Sequence, residues 1–332
     1  MRETLSRNCR KLKIPIKRTD VPARELVESG HFPSLPPGTD APDWGMSLCA
    51  AGSMRFRWNE QNKNRSAFLS QLSAGGYETV PIELIHSHQV YAVSSPADTS
   101  GKLGDGIITQ NRTLIPVVTV ADCMPVFLYD PVSRVFGVLH SGWKGTGIAV
   151  DAIRLASSLY GSQARDFRVV MGPHIHCCCY RIDRERAAYF ADQFTPACVQ
   201  ETEDGFCLSL ADANRAALLK AGVLQEHIAI SDECTCCTKL PDGSFKFGSF
   251  RREAVGQEVA AGREPVTKQE AASGQEPAAR QEPAAGPQTD GGGRTCGGMP
   301  SAAFTVQAAW VKWPVCGVND TETDPAGKEI ER

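Results

Sequence analysis

The stretch LIPVVTVADCMPVFLYDPVSRVFGVLHSGWKGTG, residues 114–147, decides the fold. Its first part is rich in β-branched residues and almost entirely apolar, which predicts a strand that is buried on both faces and ends at Asp122-Cys123. MPVFLYD follows as a second strand, and SRVFGVLH predicts a third strand that ends at His140. The turn SGWKGTG then leads into a helix. This order of strand, glycine turn and helix is typical of a corner that builds a functional site.

The residues after this turn continue the alternation of helices and strands. GIAVDAIRLASSLYG predicts an amphipathic helix, with Gly161 as its C-terminal cap. Its apolar face is expected to contain Ile148, Ala152, Ile153, Ala156 and Leu159. FRVVMGP predicts another short strand, and LSLADANRAALLKAGV predicts a helix that ends at Ala221-Gly222. The fold class is therefore α/β.

Changes in composition divide the chain of 332 residues into one domain with additions. The start of the chain is rich in proline and charge, so it is expected to be an extension of the main domain. A second stretch, rich in Gly, Pro, Glu, Gln and Ala and with two copies of QEPAA, cannot bury enough apolar surface to offset its ordering entropy. The second stretch is therefore expected to be a disordered insertion, after which AFTVQAAWVKW returns as a strand. The expected parts are an N-terminal extension at 1–45, a catalytic domain at 46–252 plus 303–314, the insertion at 253–302, and a C-terminal tail at 315–332.

Composition also excludes some classes of function. The formal charge of -3 and the pI of about 6.2 give no general attraction to nucleic acid or to acidic membranes. No stretch has the apolar length of a secretion signal or of a membrane span. We therefore expect a cytoplasmic protein with no nucleic-acid or membrane partner. The sequence leaves the oligomeric state open between a monomer and a homodimer. The thirteen cysteines are expected to be mostly free thiols, because the chain is too long to depend on disulfides.

Three segments place metal-binding side chains at the ends of predicted strands: LIHSHQV with His86, VADCMP with Cys123, and LHSGWKG with His140. Their separation in sequence is too wide for a zinc finger. One thiolate and two imidazoles nonetheless form a competent zinc ligand set, and three protein ligands leave the fourth tetrahedral position open, as catalytic zinc requires. We call these three residues the candidate triad.

Several ordered motifs resemble the laccase-domain family, also described as the polyphenol oxidase or purine nucleoside phosphorylase family. The strongest are TVADCMPVFLYDP and, after it, GVLHSGWKGTG. Others are DGIIT at 105–109, GPHIHCCCYRID at 172–183, the LADANRAALLKAGV helix, CT at 234–235 and FRR at 250–252. The resemblance covers about 200 residues, from roughly 46 to 252 plus the strand at 303–313.

The resemblance implies a layered α/β/β/α single domain, similar to toxin deamidases that use a Cys-His pair. It also implies that His86, Cys123 and His140 bind one catalytic Zn²⁺, with Cu²⁺ as the alternative ion. The sequence departs from the family pattern at Leu84, where the family commonly has glutamine, and His88 offers a competing ligand two residues after His86.

The activity that the resemblance implies is phosphorolysis of a purine nucleoside. Adenosine, inosine, guanosine or methylthioadenosine would react with phosphate to give the free base and ribose 1-phosphate, which keeps the 5-methylthio group in the last case. The resemblance also implies adenosine deamination. Purine nucleosides and phosphate are therefore the expected small-molecule partners. Deamination needs a water of lowered pKa, which a zinc ion at the candidate triad would provide.

Phosphorolysis also needs cationic contacts to phosphate and to the transition state. Lys144, Arg65, Arg251 and Arg252 are the candidates. Trp143 is a candidate for stacking on the purine base. Asp122 is a candidate for orienting a histidine or accepting a proton.

Three other interpretations remain open. A copper-dependent, laccase-like polyphenol oxidoreductase is one, although 7 histidines are fewer than the roughly ten that a multicopper centre needs. A metal-free cysteine hydrolase is the second, with Cys123 as nucleophile and His140 as base. A non-enzymatic scaffold is the third.

The sequence contains two further cysteine groups, Cys177-Cys178-Cys179 and Cys234-Thr-Cys236-Cys237. Cys234-x-x-Cys237 has the spacing of a zinc ligand pair, so a second, structural zinc site is conceivable. The segments with CCY and CT occur in the family without such a requirement, and the sequence therefore favours a single metal.

Overall fold

A computed structural model describes residues 26–203, 205–254 and 305–314. The four long helices of this part are α1 Lys63–Leu72, α2 Ile148–Tyr160, α3 Arg184–Gln193 and α4 Leu210–Lys220. The strands are β1 Val27–His31, β2 Asp43–Ser47, β3 Glu78–Pro81, β4 Val90–Ala92, β5 Gly106–Thr109, β6 Leu114–Val120, β7 Met124–Tyr129, β8 Phe136–Ser141, β9 Arg168–Met171, β10 Arg181–Ile182, β11 Val199–Thr202, β12 Gly205–Leu208, β13 Ile228–Ile230 and β14 Gln307–Lys312. Short 3₁₀ turns connect several of them.

Two large mixed sheets form the centre of the molecule. The five-stranded sheet has the order β1-β2-β14-β6-β3, and the six-stranded sheet has the order β13-β9-β7-β8-β5-β4. A small third sheet, β10-β12-β11, packs beside α3. The stretch that decides the fold crosses between the large sheets, since β6 belongs to the first and β7 to the second.

The buried residues show how the layers are stacked. One core lies between the two large sheets, where Trp44 of β2 stacks on Phe127 of β7 with ring centroids 5.2 Å apart. A second core lies between the six-stranded sheet and helices α2 and α4. A third packs Phe68 and Leu72 of α1 on the outer face of the five-stranded sheet. The predicted α/β/β/α layering is therefore confirmed.

The predicted strands around the turn are present as β6, β7 and β8, and the helix after it is α2. Gly161 caps α2 in the left-handed conformation, at φ 71°. Leu159 was expected on the buried face, but it is 55% exposed, so this prediction is wrong. Leu159 lies in the last turn of α2, where Tyr160 packs against the core instead.

The N-terminal boundary predicted at residue 46 is too late. Strand β2 begins at Asp43 and pairs with β14, and β1 pairs with β2, so residues 27–47 form part of the five-stranded sheet. The pairing was not predicted because the connection between β1 and β2 is rich in proline and has no strand pattern. Residues 1–25, most of the predicted insertion and the predicted tail lie outside the described residues. The predicted returning strand is β14, and the backbone amide of Thr305 donates to Glu253 Oε2 at 2.8 Å.

Two further findings bear on the composition argument. None of the helices in the described ranges has the length and apolarity to cross a membrane. Among the same residues, Cys177 and Cys207 form a disulfide, and the other cysteines are free.

Candidate functional site

The structure brings the candidate triad together. His86 lies in the loop between β3 and β4, Cys123 lies where the chain crosses from β6 to β7, and His140 lies in β8. One nitrogen of each ring and the Cys123 sulfur are all within 4.8 Å of one another. The two imidazole rings are nearly perpendicular, with centroids 4.8 Å apart. His86 is exposed and His140 is buried, so the group opens to solvent on the His86 side.

The carboxylate of Asp105 holds both histidine segments in place. Strand pairing sets Gly106 opposite Leu139, which puts Asp105 beside His140. Asp105 Oδ1 lies 2.9 Å from His140 Nδ1 and accepts the His86 backbone amide at 2.9 Å. Its Oδ2 accepts the amide and the hydroxyl of Ser87, at 2.6 and 2.7 Å. His140 is thereby oriented with its other ring nitrogen available to a metal or to Cys123.

The charges of the site favour a thiolate and an imidazolium. Burial opposes ionisation of Cys123, but the charge and hydrogen bond of His140, with help from His86, lower the pKa of Cys123 to about 6. Burial likewise opposes the charged form of His140, yet Cys123 and Asp105 raise the pKa of His140 to about 10. Burial would raise the pKa of Asp105, but hydrogen bonds from His140 and Ser87 bring it below its usual value. In the protein without metal, a thiolate-imidazolium pair is thus stable around neutral pH.

Two residues of the site have left-handed backbone conformations that non-glycine residues seldom adopt. His86 has φ 58° and Asp122 has φ 76°. Each is held by hydrogen bonds to a distant segment, the amide of His86 through Asp105 and the carboxylate of Asp122 through residues 235–251. Such conformations cluster at functional sites, because the surrounding structure must stabilise them.

Asp122 does not orient a histidine, and that part of the prediction is wrong. Its carboxylate is buried and accepts the Thr235 hydroxyl at 2.7 Å, the Ser249 hydroxyl at 2.9 Å and the Arg251 amide at 2.7 Å. Burial raises the pKa of Asp122, and these hydrogen bonds act against the shift. Asp122 therefore anchors the segment 235–251 beside Cys123. Asp105, and not Asp122, is the carboxylate that orients a histidine.

The space around the Cys123 sulfur fits a metal site. A Cβ atom on Gly142 would lie 2.8 Å from Cys123 Sγ and 3.5 Å from His86 Cδ2. The absence of a side chain at Gly142 thus leaves room for the sulfur between the two rings. One thiolate and two imidazoles, one of them fixed from behind by a carboxylate, form the donor set that zinc prefers.

The geometry distinguishes His86 from the competing His88. His88 Nδ1 lies 2.7 Å from Asp151 Oδ2, and its Nε2 lies 3.0 Å from the carbonyl oxygen of Lys144. Both ring nitrogens of His88 are therefore engaged elsewhere, and His86 is the histidine that joins Cys123.

Trp143 and Lys144 follow His140 in the turn before α2. Lys144 is exposed, with its Nζ 5.5 Å from the centre of the Trp143 ring. Trp143 is partly buried, and the guanidinium of Arg186 covers its ring at 4.4 Å. Lys144 therefore has its side chain in solvent close in sequence to His140, whereas Trp143 packs against the core beside α3.

The predicted arginines have different surroundings. Arg65 of α1 donates to the Arg55 carbonyl at 2.9 Å and lies over the Phe56 ring, so these contacts hold it against the segment before α1. Arg251 lies near the site, with its amide on Asp122 and its guanidinium 5.5 Å from the Tyr180 ring.

The guanidinium of Arg252 is engaged by backbone carbonyls of the neighbouring segment. It donates to the carbonyl oxygens of Thr235, Cys236 and Phe247, at 3.1, 2.8 and 2.7 Å. It also stacks on Phe245 at 3.8 Å. Arg252 therefore ties the 235–247 segment together and has little capacity left for phosphate.

Sequence reasoning missed several residues that build the site. Asp105 begins the DGIIT motif, and its role in the site follows only from the pairing of β5 with β8. Asn214 is the second case, because its buried Oδ1 accepts the Gly147 amide at 2.9 Å and the Ser141 hydroxyl at 3.2 Å. The available signal for Asn214 was a polar residue on the buried face of α4.

Comparison with known proteins identifies the family. A family model described as multi-copper polyphenol oxidoreductase laccase matches residues 58–263. Two solved structures share the fold. The structure of YlmD from Geobacillus stearothermophilus superposes with a TM-score of 0.61 at 21% identity, and the match covers 84% of this chain and 94% of that chain. The Bacillus licheniformis hypothetical protein YfiH has a TM-score of 0.60 at 22% identity, with 82% and 93% covered.

Curated relatives carry a more specific name. Purine nucleoside phosphorylase LACC1 of Homo sapiens is 33% identical over 163 residues, which are 47% of this chain and 37% of the relative. Purine nucleoside phosphorylase YlmD of Bacillus subtilis is 35% identical, over 41% of this chain and 51% of the relative. Purine nucleoside phosphorylase CA_C1699 of Clostridium acetobutylicum is 31% identical, over 51% and 70%.

The chain thus spans about half or less of the length of the human and Bacillus subtilis relatives. The family match nevertheless covers more than half of the chain and includes all three residues of the candidate triad. The chain therefore belongs to the multi-copper polyphenol oxidoreductase laccase family, in which its curated relatives are named purine nucleoside phosphorylases.

Proposed function

We propose that the protein is a zinc-dependent purine nucleoside phosphorylase whose metal is bound by His86, Cys123 and His140. The observation that carries the proposal is the convergence of one sulfur and two ring nitrogens within 4.8 Å, with His140 fixed from behind by Asp105. The names of the curated relatives support the reaction class.

In this reaction a phosphate oxygen forms a bond to C1′ of the ribose as the bond between C1′ and the purine N9 breaks. The electron pair of that bond goes to the base, which takes up a proton, and ribose 1-phosphate leaves. The chain must therefore hold a phosphate dianion on one face of the sugar and stabilise negative charge on the departing purine.

The residues around the triad have distinct roles in this proposal. His86, Cys123 and His140 would hold the zinc, which when bound would supply Lewis acidity towards a substrate oxygen or nitrogen. The exposed side chain of Lys144 binds phosphate, and Arg251 beside Cys123 adds positive charge. Trp143 offers an aromatic surface for the base. Asp105 keeps His140 in one orientation.

The decisive test combines metal analysis with a panel of nucleosides. The purified full chain is expected to contain zinc at the triad and to release free base from adenosine, inosine, guanosine or methylthioadenosine only when phosphate is present. Replacement of His140→Ala should abolish base release and remove the triad zinc. The control His88→Ala removes a neighbouring histidine that is engaged elsewhere, and should keep the triad zinc.

The products decide between related activities. Ammonia release without base release would make the protein an adenosine deaminase and would overturn phosphorolysis. Base release that does not depend on phosphate would make it a hydrolase. Reloading the metal-free protein with Cu²⁺ or Zn²⁺, with a phenol as an added substrate, tests the copper-dependent oxidoreductase activity that the family description names.

A metal-free cysteine hydrolase is the second candidate, and the ionisation of the site favours it. The thiolate of Cys123 faces the imidazolium of His140, and the carboxylate of Asp105 orients that imidazolium from its other side. In this chemistry the thiolate bonds to a substrate acyl carbon, His140 donates its proton to the leaving group, and water then cleaves the thioester. An active protein without stoichiometric metal, inactivated by alkylation at Cys123, would favour this candidate over the first.

A further inference from the structure

Four sulfur atoms meet in a second cluster that lies outside the candidate triad. Cys178 and Cys179 belong to the turn before Tyr180, and Cys234 and Cys237 belong to the turn after β13. Their sulfur atoms all lie within 4.8 Å of one another, and those of Cys178 and Cys237 are 3.7 Å apart. We refer to these four residues as the cysteine cluster.

The 3.7 Å between the sulfurs of Cys178 and Cys237 matches one edge of a metal tetrahedron. Zinc-sulfur bonds of about 2.3 Å in tetrahedral geometry place neighbouring sulfurs about 3.8 Å apart. A disulfide would need a separation of about 2 Å. The distance between Cys178 and Cys237 is therefore that of two ligands of one ion.

The neighbouring disulfide selects which cysteines are free to bind. Cys177 is joined to Cys207 of β12, so the run of three cysteines leaves Cys178 and Cys179 as thiols. In the other turn, Cys234 and Cys237 have the two-residue spacing of zinc ligand pairs, and the cluster does not include Cys236.

Backbone hydrogen bonds hold the two turns against each other. His174 and Cys234 form a parallel β-bridge, and the Thr235 amide donates to the His174 carbonyl at 3.0 Å. The His176 amide points at Cys234 Sγ, 3.4 Å away. Amide donors of this kind stabilise negative charge on a sulfur ligand. The Arg252 guanidinium, bound to the Thr235 and Cys236 carbonyls, brings positive charge to the same turn.

We infer that Cys178, Cys179, Cys234 and Cys237 bind a second Zn²⁺, in a closed site with four protein ligands. A site of this kind leaves no coordination position for substrate, so its role is structural. The same turn carries Thr235, whose hydroxyl holds Asp122 next to Cys123. The second zinc would thus fix the segment that supports the catalytic cysteine.

The test measures zinc in three forms of the full chain, purified under reducing conditions and freed of loosely bound metal. The double variant Cys178→Ser with Cys237→Ser replaces two exposed residues, which limits the risk of misfolding. It is expected to contain about one equivalent of zinc less per chain than the wild type. Cys49→Ser, a matched change at a free cysteine outside both groups, should keep the wild-type content.

A second measurement identifies the ligands. In His86→Ala with His140→Ala, which removes the triad site, the remaining zinc should show four sulfur neighbours at about 2.3 Å by X-ray absorption. Equal zinc content in the wild type and the Cys178→Ser with Cys237→Ser variant would overturn the inference. So would mass spectrometry that finds a disulfide between members of the cluster, or iron in place of zinc. Because the result is a difference between two forms, it is independent of whether the triad binds metal or the protein is a phosphorylase.

Discussion

The Nδ1 atom of His140 lies 2.9 Å from Oδ1 of Asp105, and the two side chains are 3% and 0% exposed. The hydrogen bond fixes which ring nitrogen faces Cys123. The same carboxylate receives the backbone of the His86 loop, so one buried acid orients two of the three candidate ligands. Asp105 is therefore the positioning residue on which the geometry of the site depends most.

Replacement of Asp105→Asn should weaken zinc binding by about 10- to 100-fold, because an amide nitrogen would face donors that now meet a carboxylate oxygen. The measurement is a zinc titration against a competing chelator, with thermal unfolding to show that the variant folds. Asp151→Asn is the control, since Asp151 bonds His88 outside the site. Unchanged zinc affinity in Asp105→Asn would refute the positioning role.

Replacement of Gly142→Ala should displace the Cys123 sulfur, because the new Cβ would approach it to 2.8 Å. Overpacking of this kind typically costs about 1–3 kcal/mol of unfolding free energy. The prediction is tested by a double-mutant cycle with Cys123→Ala, measured by denaturant unfolding of the metal-free proteins. Removal of the sulfur should relieve most of the cost, whereas the same cost in both backgrounds would contradict the contact.

In the metal-free protein, iodoacetamide should alkylate Cys123 with a pH midpoint of about 6, because the pKa of this thiol is lowered to about 6. The thiolate is the reactive form, so the rate should rise as the pH increases through this value and then level off. Cys49 is the internal control, since burial raises the pKa of its thiol and it should react only in alkaline solution. Mass spectrometry of peptides separates the two sites. A Cys123 midpoint near that of an ordinary thiol would contradict the ion pair with His140.

Replacement of Lys144→Ala should raise the KM for phosphate by about 10-fold or more, with a smaller effect on the KM for nucleoside, because a charge-assisted contact to phosphate is lost. Initial rates at varied phosphate give the value. Lys102→Ala is the control, since Lys102 lies in the loop before β5 and its ammonium lies over the ring of Tyr91. Equal phosphate KM values in all three proteins would remove Lys144 from the site.

Replacement of Arg252→Ala should destabilise the fold and leave the phosphate KM of the folded fraction unchanged. Its hydrogen bonds to three backbone carbonyls each contribute about 1.5–3 kcal/mol when the donor is charged, so a loss of at least about 2 kcal/mol is expected. Denaturant unfolding measures the loss. Arg154→Ala is the control at an exposed arginine on α2. A phosphate KM that rises without loss of stability would restore Arg252 as a substrate contact.

The local pattern of the chain was sufficient to predict much of the fold. The apolar run before Asp122, the strand before His140 and the helix before Gly161 all appear where the sequence placed them. The pairing of β1 and β2 into the sheet was not predictable, because the proline-rich stretch between them has no strand pattern and the partner β14 is more than 260 residues away.

The candidate site was likewise predictable from the sequence only in part. The residue types and the family motifs indicated one sulfur and two imidazoles, with His86 predicted as a ligand and His88 as a competing one. The choice depends on contacts of His88 with Asp151 and Lys144, which are 63 and 56 residues away in sequence. That Asp105 and not Asp122 orients a histidine depends likewise on distant contacts. Asp122 bonds Thr235, 113 residues away in sequence, and Asp105 bonds His140, 35 residues away.

The sequence by itself therefore determined the α/β class, the positions of the central strands and the chemical nature of the candidate metal donors, because periodicity and side-chain chemistry are local properties. The tertiary structure showed why His86 rather than His88 meets Cys123. It alone decided which carboxylate orients His140, and that Cys178 lies 3.7 Å from Cys237. These are relations between strands and turns far apart in the chain, and they exist only after the two sheets have packed against each other.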